Sequence, residues 1–388
     1  MMIYFTYGEP PSGVYSSQVC DVVNFLRKEH QAPIRLVAII SIHDFKKAKG
    51  QIKKQCPDAI VVPALPKAVY WRFNVLTLWF ICLFFRPRTI IARNVIAANM
   101  AIKVKRFSSV RKICFDGRGA IAAEWHEYDV QVDPSWKNEI ESLEMNAVLN
   151  SDFRIAVSQK LIEYWKEKYS YQGENQVVIP CTLSEGFIPV LAEQQSIHQK
   201  RSELGMLDSD ILFAYSGSTA GWQSFSLLAA FLQPLLRSQP THKVLFLAKE
   251  EDSINQLKKE FPGQVHQRWL AHSEVKNYLN ACDYGILIRE ESVTNRVASP
   301  TKFAEYLSAG LPVIISEKLG DYSDFAVEHQ CGYNLSDAIK LSLFSKPTNS
   351  EKLRIMKLVE EHFTKQANNK QYKKMMLNLS SHLVVTKN

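Results

Sequence analysis

Residues 299–315 read SPTKFAEYLSAGLPVII, and this short stretch decides the fold. Ser299 is suited to cap a helix, Pro300 to open its first turn and Gly310 to stop it. Pro312 then introduces a continuous apolar run, Val313 to Ile315, that reads as a buried parallel strand. The mouth of the predicted helix carries two hydroxyls, Ser299 and Thr301, and one cation, Lys302. Unpaired N–H groups, the helix dipole and an adjacent ammonium make an anion site, most naturally for phosphate. Glu305 lies three residues past Lys302, on the same helical face and one turn in. A carboxylate there accepts hydrogen bonds from vicinal sugar hydroxyls. Phosphate at the cap and a diol one turn deeper match a nucleotide diphosphate.

Outward from this stretch the chain alternates. Strands are predicted at 1–7, 34–40, 59–62, 89–92, 112–115, 153–157 and 177–180. Helices are predicted between them at 16–28, 44–55, 69–85, 94–105, 138–150 and 158–169. A polar, structureless stretch is expected at 196–202, after which the pattern restarts. Strands follow at 211–215, 243–247, from 265, and at 284–288, with helices at 222–236, 251–261 and 273–281. Residues 351–379 read as one long amphipathic helix rich in lysine. Strand and helix in strict turn imply a doubly wound parallel sheet, and doing so twice implies two α/β domains. The expected boundaries are 1–190, 203–350 and a helical segment over 351–388.

Composition agrees with two globular domains: 388 residues, 46% hydrophobic and 22% charged. The seven cysteines are odd in number and show no CxxC spacing, so reduced core thiols in a cytoplasmic protein are expected rather than a disulfide framework or a zinc site. The N-terminus runs straight into a strand, with no signal peptide in view. Charge is uneven. Residues 1–110 hold 16 Lys and Arg against 5 Asp and Glu, hence +11, while the whole chain is +8. Within this basic half, Val75 to Phe85 carries no charge and is too short to span a bilayer, which takes about 20 residues. A buried helix is the preferred reading, with a lipid-contacting helix as the rival. Under either, the basic surface suits anionic lipid headgroups. Nucleic acid is not expected as a partner, because no aromatic-rich RNA-binding sequence, zinc finger or helix-turn-helix accompanies the charge.

Ligands of open parallel sheets sit outside the carboxyl ends of the strands, so the loops that follow strands matter most. The first, Gly8 to Ser17, contains Gly13 and Tyr15 and opens onto a helix, where it could hold hydroxyls. At the restart, Ser216, Gly217 and Ser218 form a small-residue turn that a diphosphate could approach closely, although a plain tight turn fits equally well. Lys249, Arg289 and Glu290 follow the next strands. In the N-terminal half a buried strand delivers Asp116 and Arg118, flanked by glycines, and His126 follows. Asp116 could orient an acceptor hydroxyl and Arg118 could pair with an acceptor phosphate, or the two could simply close the loop as an ion pair.

The stretches VKNYLNACDYGILIRE (275–290) and SPTKFAEYLSAGLPVIIS (299–316), with VSQKL (157–161) and VIPCTL (178–183), resemble retaining glycosyltransferases of the GT-B class, family 4 type. The resemblance implies two Rossmann-like domains facing across a cleft, donor on the second and acceptor on the first, with the last helix crossing back. It implies that Ser299, Pro300, Thr301 and Lys302 meet a diphosphate together with the 216–218 turn, and that Glu305 binds the ribose. Two departures stand out. The first of the paired glutamates common in such enzymes is Val297 here, and Trp222-Gln223 occupies the place of a usual lysine. Arg289, with Lys249 or Lys302, is expected to supply the missing charge, and Glu290 or Glu291 to reach the donor sugar. Gly13, Tyr15 and His126 are expected on the acceptor side, with Asp116 and Arg118. The implied activity is transfer of a sugar from a nucleotide diphosphate sugar to a saccharide or lipid-linked acceptor with retention, in surface polysaccharide synthesis. It needs no metal and no further cofactor, and takes place at the inner face of the cell membrane. A non-catalytic assembly partner and a sugar-nucleotide epimerase are the rival readings.

Overall fold

The computed structural model describes residues 1–67, 70–128, 134–217, 221–340 and 344–380. The chain divides into two compact units, Met1–Ser184 with the chain from Lys365 onward, and Glu185–Thr364.

The first unit is built on a seven-stranded parallel sheet. Its strands are β1 (Met2–Tyr7), β2 (Ile34–Ile40), β3 (Ile60–Pro63), β4 (Thr89–Arg93), β5 (Lys112–Gly117), β6 (Phe153–Ala156) and β7 (Gln176–Val178). Their order is β3-β2-β1-β4-β5-β6-β7. All residues of β1 and of β4 are buried, as expected of central strands covered on both faces. The second unit repeats the plan with β8 (Ile211–Ser216), β9 (His242–Leu247), β10 (Val265–Arg268), β11 (Tyr284–Leu287), β12 (Val313–Ile315) and β13 (Gly332–Asn334), in the order β10-β9-β8-β11-β12-β13. In each sheet the winding reverses beside the first strand, between β1 and β4 and between β8 and β11. Those crevices are where such sheets bind ligands.

Three expectations need correction. Residues 194–203, expected to be structureless at 196–202, form the helix Gln194–Glu203. Its polar residues are fair helix formers. Its anchor is Arg201, buried with Nη1 at 3.2 Å from Asp283 and hydrogen-bonded to the carbonyls of Ala281, Leu207 and Asp210. The single helix expected over 351–379 is two, Asn349–His362 and Asn369–Leu379. The first buries Ile355, Met356 and Val359 and the second Tyr372, Met375, Met376 and Leu379. These two apolar stripes are out of phase at 3.6 residues per turn, so one straight helix could not bury both. Only the second belongs to the first unit, where its four apolar side chains enter the core and Thr89 donates to the carbonyl of Leu379 at 3.0 Å.

The third correction concerns the apolar helix. It spans Trp71–Phe85 among the described residues, Val69 lying outside them. One face is buried through Trp71, Asn74, Leu78, Ile81 and Cys82. The other is exposed, contrary to the buried helix expected. All seven cysteines are free thiols, six of them buried.

Candidate functional site

In the second unit three elements converge: the turn after β8, the chain after β11, and the helix Thr301–Ser308. That helix begins one residue later than expected. Pro300 is its N-cap, extended at φ −67° and ψ 127°, and has no side chain able to cap. Ser299 precedes the cap, and its buried hydroxyl lies 2.6 Å from that of Tyr322. At the other end Ala309 is the C-cap and Gly310 takes the left-handed conformation that stops helices, φ 73°.

Lys302 is the pivot. Its side chain is buried, its Nζ donates to Gln223 Oε1 at 2.9 Å and lies 4.7 Å from the centroid of the Tyr215 ring. Gly217 makes this possible, since a Cβ there would stand 2.7 Å from Lys302 Nζ, and its φ of 118° is one that side chains resist. The ammonium thus lies directly against the backbone of the turn after β8. Ser216 is held there by donating its N–H to the Tyr306 hydroxyl at 2.8 Å. Ser218 lies outside the described residues.

Arg289, at the end of β11, is the second buried cation. Its backbone N–H donates to Ser316 Oγ at 2.8 Å, and its Nη1 is 3.2 Å from Asn295 Oδ1. Burial pulls the Lys302 pKa well below the ordinary lysine value, and the neighbouring Arg289 charge pulls it further. Glu305 opposes the shift. Its side chain, mostly buried, has Oε1 3.8 Å from His272 Nε2 and raises the pKa of that histidine.

Sequence reasoning missed His272, which lies on a separate helix, His272–Leu279. It treated Gln223 only as the replacement of a lysine, yet Gln223 is the group that holds Lys302. Of the other predicted residues, Thr301 opens the helix. Glu290 is exposed, its N–H donating to Ser224 Oγ at 2.8 Å. Lys249 is exposed and lies over the Trp269 ring, 5.3 Å from its centroid, where β9 and β10 end. Val297 is fully buried.

The corresponding edge of the first unit is a closed charge network. Asp116, at the end of β5, is only 2% exposed. Tyr4 donates to its Oδ2 at 2.5 Å, Arg118 Nη1 is 3.2 Å from Oδ1, and Arg93 Nη1 is 3.6 Å from Oδ2. Arg93 in turn binds Glu9 Oε2 at 2.9 Å, and Arg118 donates to Gln18 Oε1 at 2.9 Å. The Asp116–Arg118 ion pair is present and is enlarged by Tyr4, Glu9, Gln18 and Arg93, none of which the sequence singled out. Burial and the Asp116 carboxylate push the Tyr4 phenol well up. Tyr15 is buried with its hydroxyl 3.0 Å from Thr6 Oγ1. Gly13 starts a short turn whose Tyr15 N–H is capped by Ser12 Oγ. His126 is exposed on the helix Ile121–Glu127.

Two Rossmann-like parallel sheets of this order define the GT-B fold, and the comparisons with known proteins agree. A glycosyltransferase from Rickettsia africae superposes with a TM-score of 0.72 at 13% identity, covering 98% of this chain and 99% of its own. Sucrose-phosphate synthase from Thermosynechococcus elongatus gives 0.71 at 12%, covering 98% and 99%. Anabaena HepE, solved in complex with UDP and glucose, gives 0.69 at 14%, covering 97% and 99%. No protein-family model matches the chain, and no curated protein matches it by sequence.

Proposed function

We propose that the protein is a glycosyltransferase that moves a sugar from a nucleotide diphosphate sugar to a saccharide acceptor. The observation that carries this reading is Lys302, a buried ammonium pressed against the Gly217 backbone, with Arg289 near enough to depress its pKa. A lysine buried in the first turn of a helix is costly to charge until an anion joins it. The diphosphate of a nucleotide sugar supplies the missing negative charge, and the UDP and glucose complex of the similarly folded HepE supports this kind of ligand.

In this reading Lys302, Arg289 and the first N–H groups of the helix stabilise charge growing on the departing diphosphate. Glu305 accepts hydrogen bonds from the ribose hydroxyls. An acceptor hydroxyl positioned on the face from which the diphosphate leaves gives retention. The cations meet the leaving-group charge themselves, so turnover proceeds without a divalent metal and is unchanged by a chelator. We further infer that the acceptor is lipid-linked and that the product is a surface polysaccharide. The basic first domain and its exposed apolar helix support that inference.

The test is calorimetry with UDP and a panel of nucleotide sugars, followed by analysis of products with and without saccharide acceptors. Selective binding and acceptor-dependent transfer support the proposal. Conversion of the donor to an isomer without acceptor replaces it with epimerisation. Absence of any nucleotide binding leaves a non-catalytic assembly role.

A further inference from the structure

The helix Trp71–Phe85 presents an apolar stripe to the outside. Phe73 is 65% exposed, Phe80 62% and Phe84 81%, with Leu76 and Leu83 exposed between them. The spacing 73, 76, 80, 83 and 84 is that of one helical face. Beside it, Trp79 Nε1 donates to the carbonyl of Phe107 at 2.9 Å, and Phe107 is itself 75% exposed. Isolated exposed apolar residues are ordinary, but a contiguous aromatic face marks an interaction site.

The surrounding charge identifies the occupant. Between Asp58 and Asp116 the chain contains no acidic residue and ten Lys and Arg. Arg86, Arg88, Lys103 and Arg106 are exposed among them, while Arg72 is paired with Glu139 at 3.0 Å. A second copy docked on this face would bring like charges together. An anionic lipid bilayer offers both complements at once, acyl chains for the phenylalanines and headgroups for the cations. The helix has 15 residues, about 22 Å at 1.5 Å per residue, against a hydrocarbon core of about 30 Å. No described helix is long and apolar enough to cross a membrane.

We propose that this helix lies in the plane of an anionic membrane, with Phe73, Phe80 and Phe84 seated in the acyl boundary and the flanking arginines and lysines at the headgroups. The proposal deepens and rests on the reading of the first domain as membrane-facing, but it requires nothing of the donor chemistry.

Full-length protein without nucleotide is sedimented with vesicles of phosphatidylcholine and phosphatidylglycerol, and with phosphatidylcholine alone. The expected result is binding to the anionic vesicles only, weakened by salt. The combined variant Phe73→Ser, Phe80→Ser, Phe84→Ser lowers the partition at least tenfold, with the melting temperature and UDP binding unchanged. Arg86→Glu with Arg88→Glu weakens it while leaving the phenylalanines in place. Wild-type binding by the triple variant, or no binding of the native protein to either vesicle, overturns the proposal. So does a dimer in solution that the triple variant dissolves. Vesicle binding without UDP binding leaves this proposal standing and removes the glycosyltransferase reading; the reverse result separates them the other way.

Discussion

The two sheets share one winding and differ in the charge they carry at the edge where the winding reverses. In the first unit Asp116 and Glu9 face Arg93 and Arg118, with Tyr4 donating to Asp116. Charge there is balanced within the protein. In the second unit Lys302 and Arg289 lie together, and the nearby carboxylate, Glu305, is also engaged with His272. We infer that the first edge is a scaffold neutralised from within and that the second receives an anion. The same winding thus carries two arrangements of charge, acids and arginines interleaved at one edge and two cations brought close together at the other.

That contrast can be broken by substitution. Asp116→Ala leaves Arg93 and Arg118 buried without their shared partner, and is expected to destabilise the fold by about 3–5 kcal/mol in chemical denaturation. Preserved stability would dissolve the scaffold reading. Lys302→Met removes a poorly solvated charge, so the fold is expected to hold its stability or gain some. UDP binding is expected to fall about a hundredfold, or ~3 kcal/mol, by calorimetry. Tight UDP binding by this variant would remove Lys302 from the site.

The depressed Lys302 pKa sharpens the comparison through pH. The unfolded chain binds the proton more readily than the native protein between the lowered value and the ordinary one near 10.5. Native stability therefore rises with pH across that window, and the advantage of Lys302→Met shrinks as alkaline pH is approached. A bound diphosphate favours the ammonium, so within that window UDP binding takes up protons and weakens as pH rises. A calorimetric heat independent of buffer ionisation would contradict this. The smallest effect belongs to His272. Its raised pKa contributes stability present below its unfolded value and lost as pH rises through the folded one. His272 is about half exposed, so His272→Gln is expected to cost no more than about 0.5 kcal/mol and to change UDP affinity less than threefold.

Much of the framework is legible locally. The apolar runs of β1, β2, β8 and β12 name buried parallel strands without help, and residues 299–310 announce a helix with a charged mouth to within one residue. What the sequence hides is partnership at a distance. Tyr4 meets Asp116 across 112 positions and Arg118 meets Gln18 across 100. Spacing therefore showed an acid beside an arginine and could not tell a catalytic pair from a neutral network. Arg201 made a helix of a polar stretch through Asp283, 82 residues on. The helix Trp71–Phe85 hid for another reason: it is apolar on every side, so periodicity carries no information about which face is covered.

The helix Asn369–Leu379 has a consequence for synthesis. It supplies Tyr372, Met375, Met376 and Leu379 to a core whose other members come from the first 179 residues. A ribosome therefore delivers β1 to β7 and then the whole of the second unit before the piece that covers their core. Until then Val22, Ile155 and Ile179 lack part of their cover, and the earliest strands to be made belong to a unit that is among the last to be finished.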